Sequence, residues 1–110
     1  MSDNLKKTIK ELPENERPRE KLLKFGADKL SDSELLAILL RTGTKGKSVI
    51  EMAEEIIKSV GGSFKGLAGK DIEELTKIPG IKKAKVITIA AALEIARRIS
   101  KQILKDKGII

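Results

Sequence analysis

Apolar residues recur every three or four positions along most of this chain, and no stretch alternates β-branched residues with polar ones, so the pattern predicts helices almost throughout. Pro18 suits the first position of a helix running through Phe25, and Gly26 ends it. Ser31 followed by Glu34 has capping-box spacing, and Leu35, Leu36, Ile38, Leu39 and Leu40 then predict a largely buried helix. A third helix is expected from about Ser48 to Val60, with Val49, Met52, Ala53, Ile56, Ile57 and Val60 on one face and Gly61-Gly62 stopping it. Phe64 and Leu67 fall in a short turn-like piece, and both Phe25 and Phe64 are expected in the core. Asp71 and Glu74 repeat the capping-box spacing ahead of Ile72, Leu75 and Ile78. The last helix is predicted from near Lys82 to about Ile103, turning Val86, Ile87, Ile89, Ala90, Leu93, Ala96 and Ile99 inward, with Ala90 to Ala92 allowing a neighbour to approach closely. The expected fold is all-α, a compact bundle of about five helices. Residues 1–16 are expected as a flexible arm, 17–100 as the helical domain, and 101–110 as a helix end or linker to a further domain.

The junction before the last helix carries the most chemistry. Ile78-Pro79-Gly80-Ile81 followed by Lys82, Lys83 and Lys85 predicts a short helix, a tight hairpin and a helix whose first turn is surrounded by positive charge. Unpaired N–H groups at a helix start, backed by the positive end of the helix dipole, suit a phosphate oxygen. The segment resembles the helix-hairpin-helix motif of apolar-Pro-Gly-apolar-Gly, with Lys82 standing at the second glycine. Pro79, Gly80, Ile81, Lys82, Lys83 and Lys85 are therefore the candidate residues for DNA phosphate. The competing reading is a helix-helix corner that only closes the bundle.

A second loop, Arg41-Thr42-Gly43-Thr44-Lys45-Gly46-Lys47-Ser48, opens the third helix. Its Gly-Lys-Ser ending differs from the phosphate loop of nucleotide hydrolases, because two residues rather than four separate the glycines and an apolar helix, not a strand, precedes it. Arg41, Thr42, Gly43, Lys45, Gly46, Lys47 and Ser48 form instead a candidate secondary phosphate loop acting through a helix terminus.

Composition narrows the choices. The 110 residues contain neither cysteine nor histidine, which removes disulfides, thiolate nucleophiles, the usual zinc and iron-sulfur ligands and His-based catalysis. No metal, cofactor or catalytic residue is expected. No apolar run approaches the length of a membrane span or a signal core, and a cytoplasmic protein is expected. The net charge of +7 is unevenly spread: residues 1–64 hold 12 Lys/Arg against 11 Asp/Glu, and residues 65–110 hold 11 against 5. The positive field thus belongs to the hairpin and its following helix.

Three blocks together are similar to the N-terminal region of the bacterial RadC family: residues 11–23, residues 30–48 and the hairpin. The resemblance covers about residues 8–100. It implies a parent protein with a second, JAB/MPN-like metallopeptidase domain bearing a His-x-His zinc signature, which these residues do not contain. Residues 33–42 and the hairpin are also similar to the helical core of endonuclease III-type glycosylases, but the register puts Ala84 where those enzymes carry a nucleophilic lysine. Three expectations follow. The first is a non-enzymatic module gripping the backbone of duplex or branched DNA; the second is a docking domain for a partner protein or its own C-terminal domain; the third, a remote one, is a glycosylase-like enzyme. With no Trp or Tyr and only two Phe, stacking on single strands is not expected to dominate.

Overall fold

The computed structural model describes Leu12 and residues 16–110, so the expected arm over residues 1–16 lies almost wholly outside the described residues. Four α-helices follow in order: α1 (Pro18–Phe25), α2 (Asp32–Leu40), α3 (Val49–Ser59) and α4 (Lys83–Asp106). Short 3₁₀ segments lie at Ala27–Lys29, Phe64–Leu67 and Ile72–Lys77, the last acting as a fifth helix ahead of α4. Among the described residues there is no strand, only an isolated bridge between Thr44 and Lys47. The all-α expectation holds.

Two of the helix starts are closed by their own sequence. Ser31 Oγ accepts the Glu34 N–H at 3.1 Å while the Glu34 carboxylate accepts the Ser31 N–H at 2.9 Å. Ser48 and Glu51 repeat this at the start of α3, both bonds at 3.1 Å. Such reciprocal caps satisfy two otherwise orphaned donors. Glu34 also meets the Lys21 ammonium at 3.1 Å, tying α1 to α2. Partial burial pushes the Glu34 carboxyl up, but the Ser31 backbone N–H and the Lys21 ammonium outweigh it and hold the group below its ordinary value.

The core forms where α2 lies on α3 and the base of α4 packs against α2 and the Ile72–Lys77 segment. Met52, Ala53 and Ile56 are fully buried, joined by Leu36, Leu40, Leu75, Ile81 and Ile89. Every position expected on the buried face of α3 is buried. Each large side chain here contributes about 1.5–3 kcal/mol by leaving water.

Elsewhere the burial is narrower than the apolar pattern implies. Leu36 and Leu40 are buried, whereas Leu39 is 38% exposed and Leu35 and Ile38 are half-buried, because α2 has core on one side only. Phe25 is 48% exposed, with the Lys24 ammonium 5.4 Å from its ring, while Phe64 packs on the core. The Asp71–Glu74 spacing does not make a capping box. Asp71 accepts the Glu73 N–H at 3.2 Å, and the segment winds as 3₁₀ helix. On α4 only Val86 and Ile89 are buried, with Leu93 partly so; Ile87 and Ile99 are exposed and the helix runs on to Asp106. The reason is geometric. A 24-residue helix is about 36 Å long, and the globule covers only its first half.

Two predictions test this packing. Gly80 has φ +92°, and a Cβ there would stand 2.8 Å from Thr44 Cγ2 and 3.1 Å from Met52 Cε; Gly46, at φ +82°, faces open space. Gly46→Ala should cost about 1 kcal/mol for backbone strain alone and Gly80→Ala about 2–4 kcal/mol, read from urea unfolding midpoints. The second concerns Glu34. A carboxyl held below its unfolded-state value stabilises the fold while ionised, and that stability is lost as pH falls through the folded-state value. The gap in melting temperature between wild type and Glu34→Gln should therefore be present at about pH 7 and close at about pH 3.

Candidate nucleic-acid interface

The hairpin is a four-residue turn in which Ile81 donates its N–H to the Ile78 carbonyl at 3.0 Å. Pro79 precedes Gly80, whose positive φ is the conformation a turn of the Pro-Gly kind requires. Ile81 is buried in the core, so it anchors the turn instead of facing a ligand, while Pro79 stands exposed. Lys82 is the N-cap of α4 in extended conformation and makes no side-chain cap. There is no acidic residue in the first turn of α4. The N–H groups of Lys85 and Val86 both reach the Lys82 carbonyl, leaving those of Lys83 and Ala84 without an acceptor among the described residues. This helix start differs from those of α2 and α3 in having no acidic side chain in its first turn to oppose an anion.

The glycine-containing loop adjoins the hairpin directly. Thr44 and Lys47 exchange backbone hydrogen bonds at 3.0 Å each, making a tight loop whose tip is exposed Gly46. Gly43 is required because any Cβ would meet the Lys47 carbonyl oxygen at 2.3 Å. The Thr44 side chain lies over Gly80, and the Lys85 ammonium reaches back to α2, donating to the carbonyls of Leu40 at 2.7 Å and Thr42 at 2.8 Å. Two segments about forty residues apart in sequence thus form one surface.

Arg41 between those carbonyls has φ 69° and ψ −54°, and the Thr42 N–H bonds to the Leu40 carbonyl at 2.8 Å. This is a γ-turn of the rarer, positive-φ form, with about 1–3 kcal/mol of backbone strain. Nothing in the sequence signals it.

The predicted residues fall into two groups. Arg41, Lys45, Lys82 and Lys83 are exposed, and their side chains have no acidic partner among the described residues. Lys47 is paired with Glu55, and Lys85 is committed to the two α2 carbonyls. Ser48 serves as a cap, and the Glu51 carboxylate accepts its N–H, which places a negative charge at the α3 start. The Ser-x-x-Glu spacing at 48–51 was a legible signal of this. Partial burial and the nearby Arg41 guanidinium pull the Lys85 ammonium below its ordinary pKa. Among the described residues, the charges of Arg41, Lys45, Lys82, Lys83 and Lys85 on this surface have no carboxylate partner.

Among the described residues no group of His, Cys, Asp or Glu could hold a metal ion, and no helix is long and apolar enough to cross a membrane. Ala84, in register with the glycosylase nucleophile, is exposed in the first turn of α4.

These features define a small helical domain with one cation-rich edge. The family model described as UPF0758 N-terminal matches residues 9–87, and the chain belongs to the UPF0758 family, the RadC family to which its sequence blocks are similar. It is 49% identical over 98 residues to a UPF0758 protein of Clostridium botulinum strain Hall, covering 89% of this chain and 42% of that protein. It is 47% identical over 102 residues to a UPF0758 protein of Bacillus licheniformis, covering 93% and 45% respectively. The chain thus spans less than half the length of these relatives. No solved structure matches it.

Replacing Lys85 by Met keeps its apolar stem but leaves the Leu40 and Thr42 carbonyls short of a charged donor. Lys85→Met should lower unfolding free energy by about 1–3 kcal/mol, measured by chemical denaturation, whereas Lys83→Met should change it by less than about 0.5 kcal/mol.

Proposed function

We propose that this domain is a non-enzymatic module that grips the sugar-phosphate backbone of duplex or branched DNA without reading its sequence, through a helix-hairpin-helix element. The observation that carries the reading is the meeting of an uncapped α4 start, Lys82 and Lys83 with the loop bearing Arg41 and Lys45 on one edge, where none of these four cations has a carboxylate partner among the described residues. In it, the N–H groups of Lys83 and Ala84 and the ammonium groups of Lys82 and Lys83 take one phosphate cluster, and Arg41 and Lys45 take the next. Lys47 and Lys85 hold the two parts together and are not phosphate ligands in this reading.

Docking onto a partner protein or the remainder of its own longer protein is the second reading, and it draws on one observation. Ile95, Ile99 and Ile103 form an exposed apolar stripe along the overrunning half of α4.

Four cations predict neutralisation of about four phosphates, so log K against log salt should have a slope of about −3 to −4. The double variant Lys82→Glu, Lys83→Glu should weaken duplex binding by about tenfold or more in fluorescence anisotropy while the thermal unfolding curve is unchanged. Lys101→Glu, Lys105→Glu makes the same charge change about 28 Å further along α4 and serves as control. Equal losses in both double variants, or no binding at low salt, would sink the phosphate-grip reading in favour of docking.

A further inference from the structure

Beside the cation-rich edge lies an open cleft of about 710 Å³, between α1, the end of α2 and the loop leading into α3. Its volume is in the range of small-ligand sites, about 300–1,000 Å³. Pro18, Ala37, Ile38 and Val49 supply apolar lining, and Arg41 and Lys45 also line it, with no acidic partner among the described residues. Glu20 is the one acidic side chain among the lining residues, against Arg19, Arg41, Lys45 and Lys47. A site with an apolar surface and two uncommitted cations suits a ligand with a flat, weakly polar body and an anionic end.

We infer that this cleft receives a single unpaired nucleotide, a nucleoside phosphate unit, with its phosphate on Arg41 and Lys45 and its base against Pro18, Ile38 and Val49. The inference deepens the phosphate-gripping reading above and rests on its use of Arg41 and Lys45. Two further observations point to the same residue. Arg41 is held in a strained γ-turn by the Lys85 bonds to the carbonyls on either side, and strain of this kind clusters at ligand clamps. Burial and, after it, the Arg41 guanidinium lower the Lys85 pKa, so an anion arriving beside Arg41 offsets part of that effect. The cleft contains no aromatic side chain, so the base is held by apolar contact and not by stacking. A nucleotide at the unpaired end of a DNA strand and a free nucleotide offer the same chemistry.

The test uses the 110-residue protein with four probes: deoxyadenosine monophosphate, inorganic phosphate, a blunt duplex, and the same duplex carrying a short unpaired 3′ extension. The expected results are amide chemical-shift changes at Ile38, Val49 and the 42–45 loop with the nucleotide that phosphate at equal concentration does not reproduce, or about fivefold tighter binding of the extended duplex than of the blunt one. The first result identifies the free nucleotide as a ligand, the second the strand end, and both can hold. Arg41→Gly should abolish either effect. Glycine relieves the γ-turn strain, so this variant should unfold at the same or a higher temperature, and a loss of binding cannot be laid to misfolding. Phosphate reproducing the nucleotide shifts, equal binding of both duplexes without nucleotide shifts, or an Arg41→Gly variant that keeps the effect would each overturn the inference. Blunt-duplex binding reports separately on the backbone grip: its survival with an unresponsive cleft rejects only this inference, and its absence alongside nucleotide shifts rejects only the grip.

Discussion

The Lys85 ammonium holds the end of α2 to the start of α4, and the cation-rich edge depends on that hold. It donates to two carbonyls, Leu40 and Thr42, that the end of α2 leaves without helical partners. The same two carbonyls bracket Arg41, so the bonds that cap α2 also fix the γ-turn and the position from which the glycine-containing loop departs. Gly80 allows the hairpin to sit against Thr44 of that loop. These two contacts and the shared core around Met52 and Ile81 give the two cationic segments their common frame.

The helix starts divide the available negative charge in an orderly way. Glu34 and Glu51 are spent on the starts of α2 and α3, and Glu55 on Lys47. Lysines occupy the corresponding first turn of α4. An acidic side chain near a helix N-terminus meets the positive end of the dipole, so the starts of α2 and α3 are balanced by their own carboxylates and that of α4 is not. Charge along the sequence conveyed this only coarsely. The net positive half of the chain includes the overrunning part of α4, where Glu94 is bonded to both Arg97 and Arg98 and its carboxyl is held down to about 2 by those two side chains.

Local signals in the sequence held at α1, α2 and α3, where the determining contacts are themselves local, and failed at Asp71, which accepts the Glu73 N–H instead of forming a capping box with Glu74. Pro18 and Gly26 delimit α1 as their backbone preferences require, Ser31 and Glu34 cap α2, and the six apolar positions of α3 all turn inward. What escaped is set by contacts distant in sequence. Lys85 has the same place in the pattern as Lys82 and Lys83, and only the position of the α2 carbonyls makes it a structural residue. Ile81 belongs to the motif yet is core. Ile87 and Ile99 carry helical periodicity but have nothing opposite them, since periodicity reports which residues share a face and not whether a neighbour covers it. The turn at Arg41 has no compositional mark, because arginine is not a residue that favours positive φ.

The overrun of α4 has a thermodynamic consequence of its own. About a dozen residues in isolation form a marginal helix, chiefly because the first turn must be ordered before any later one gains from it. In this domain the turns around Val86 and Ile89 are already fixed by the core, so residues beyond Leu93 add to an existing template and face only the elongation equilibrium. Their order then decays with distance from the globule. Amide protons should exchange on a smooth gradient from Leu93 to Asp106, making the far half of α4 a helix whose persistence is borrowed from the domain at its base.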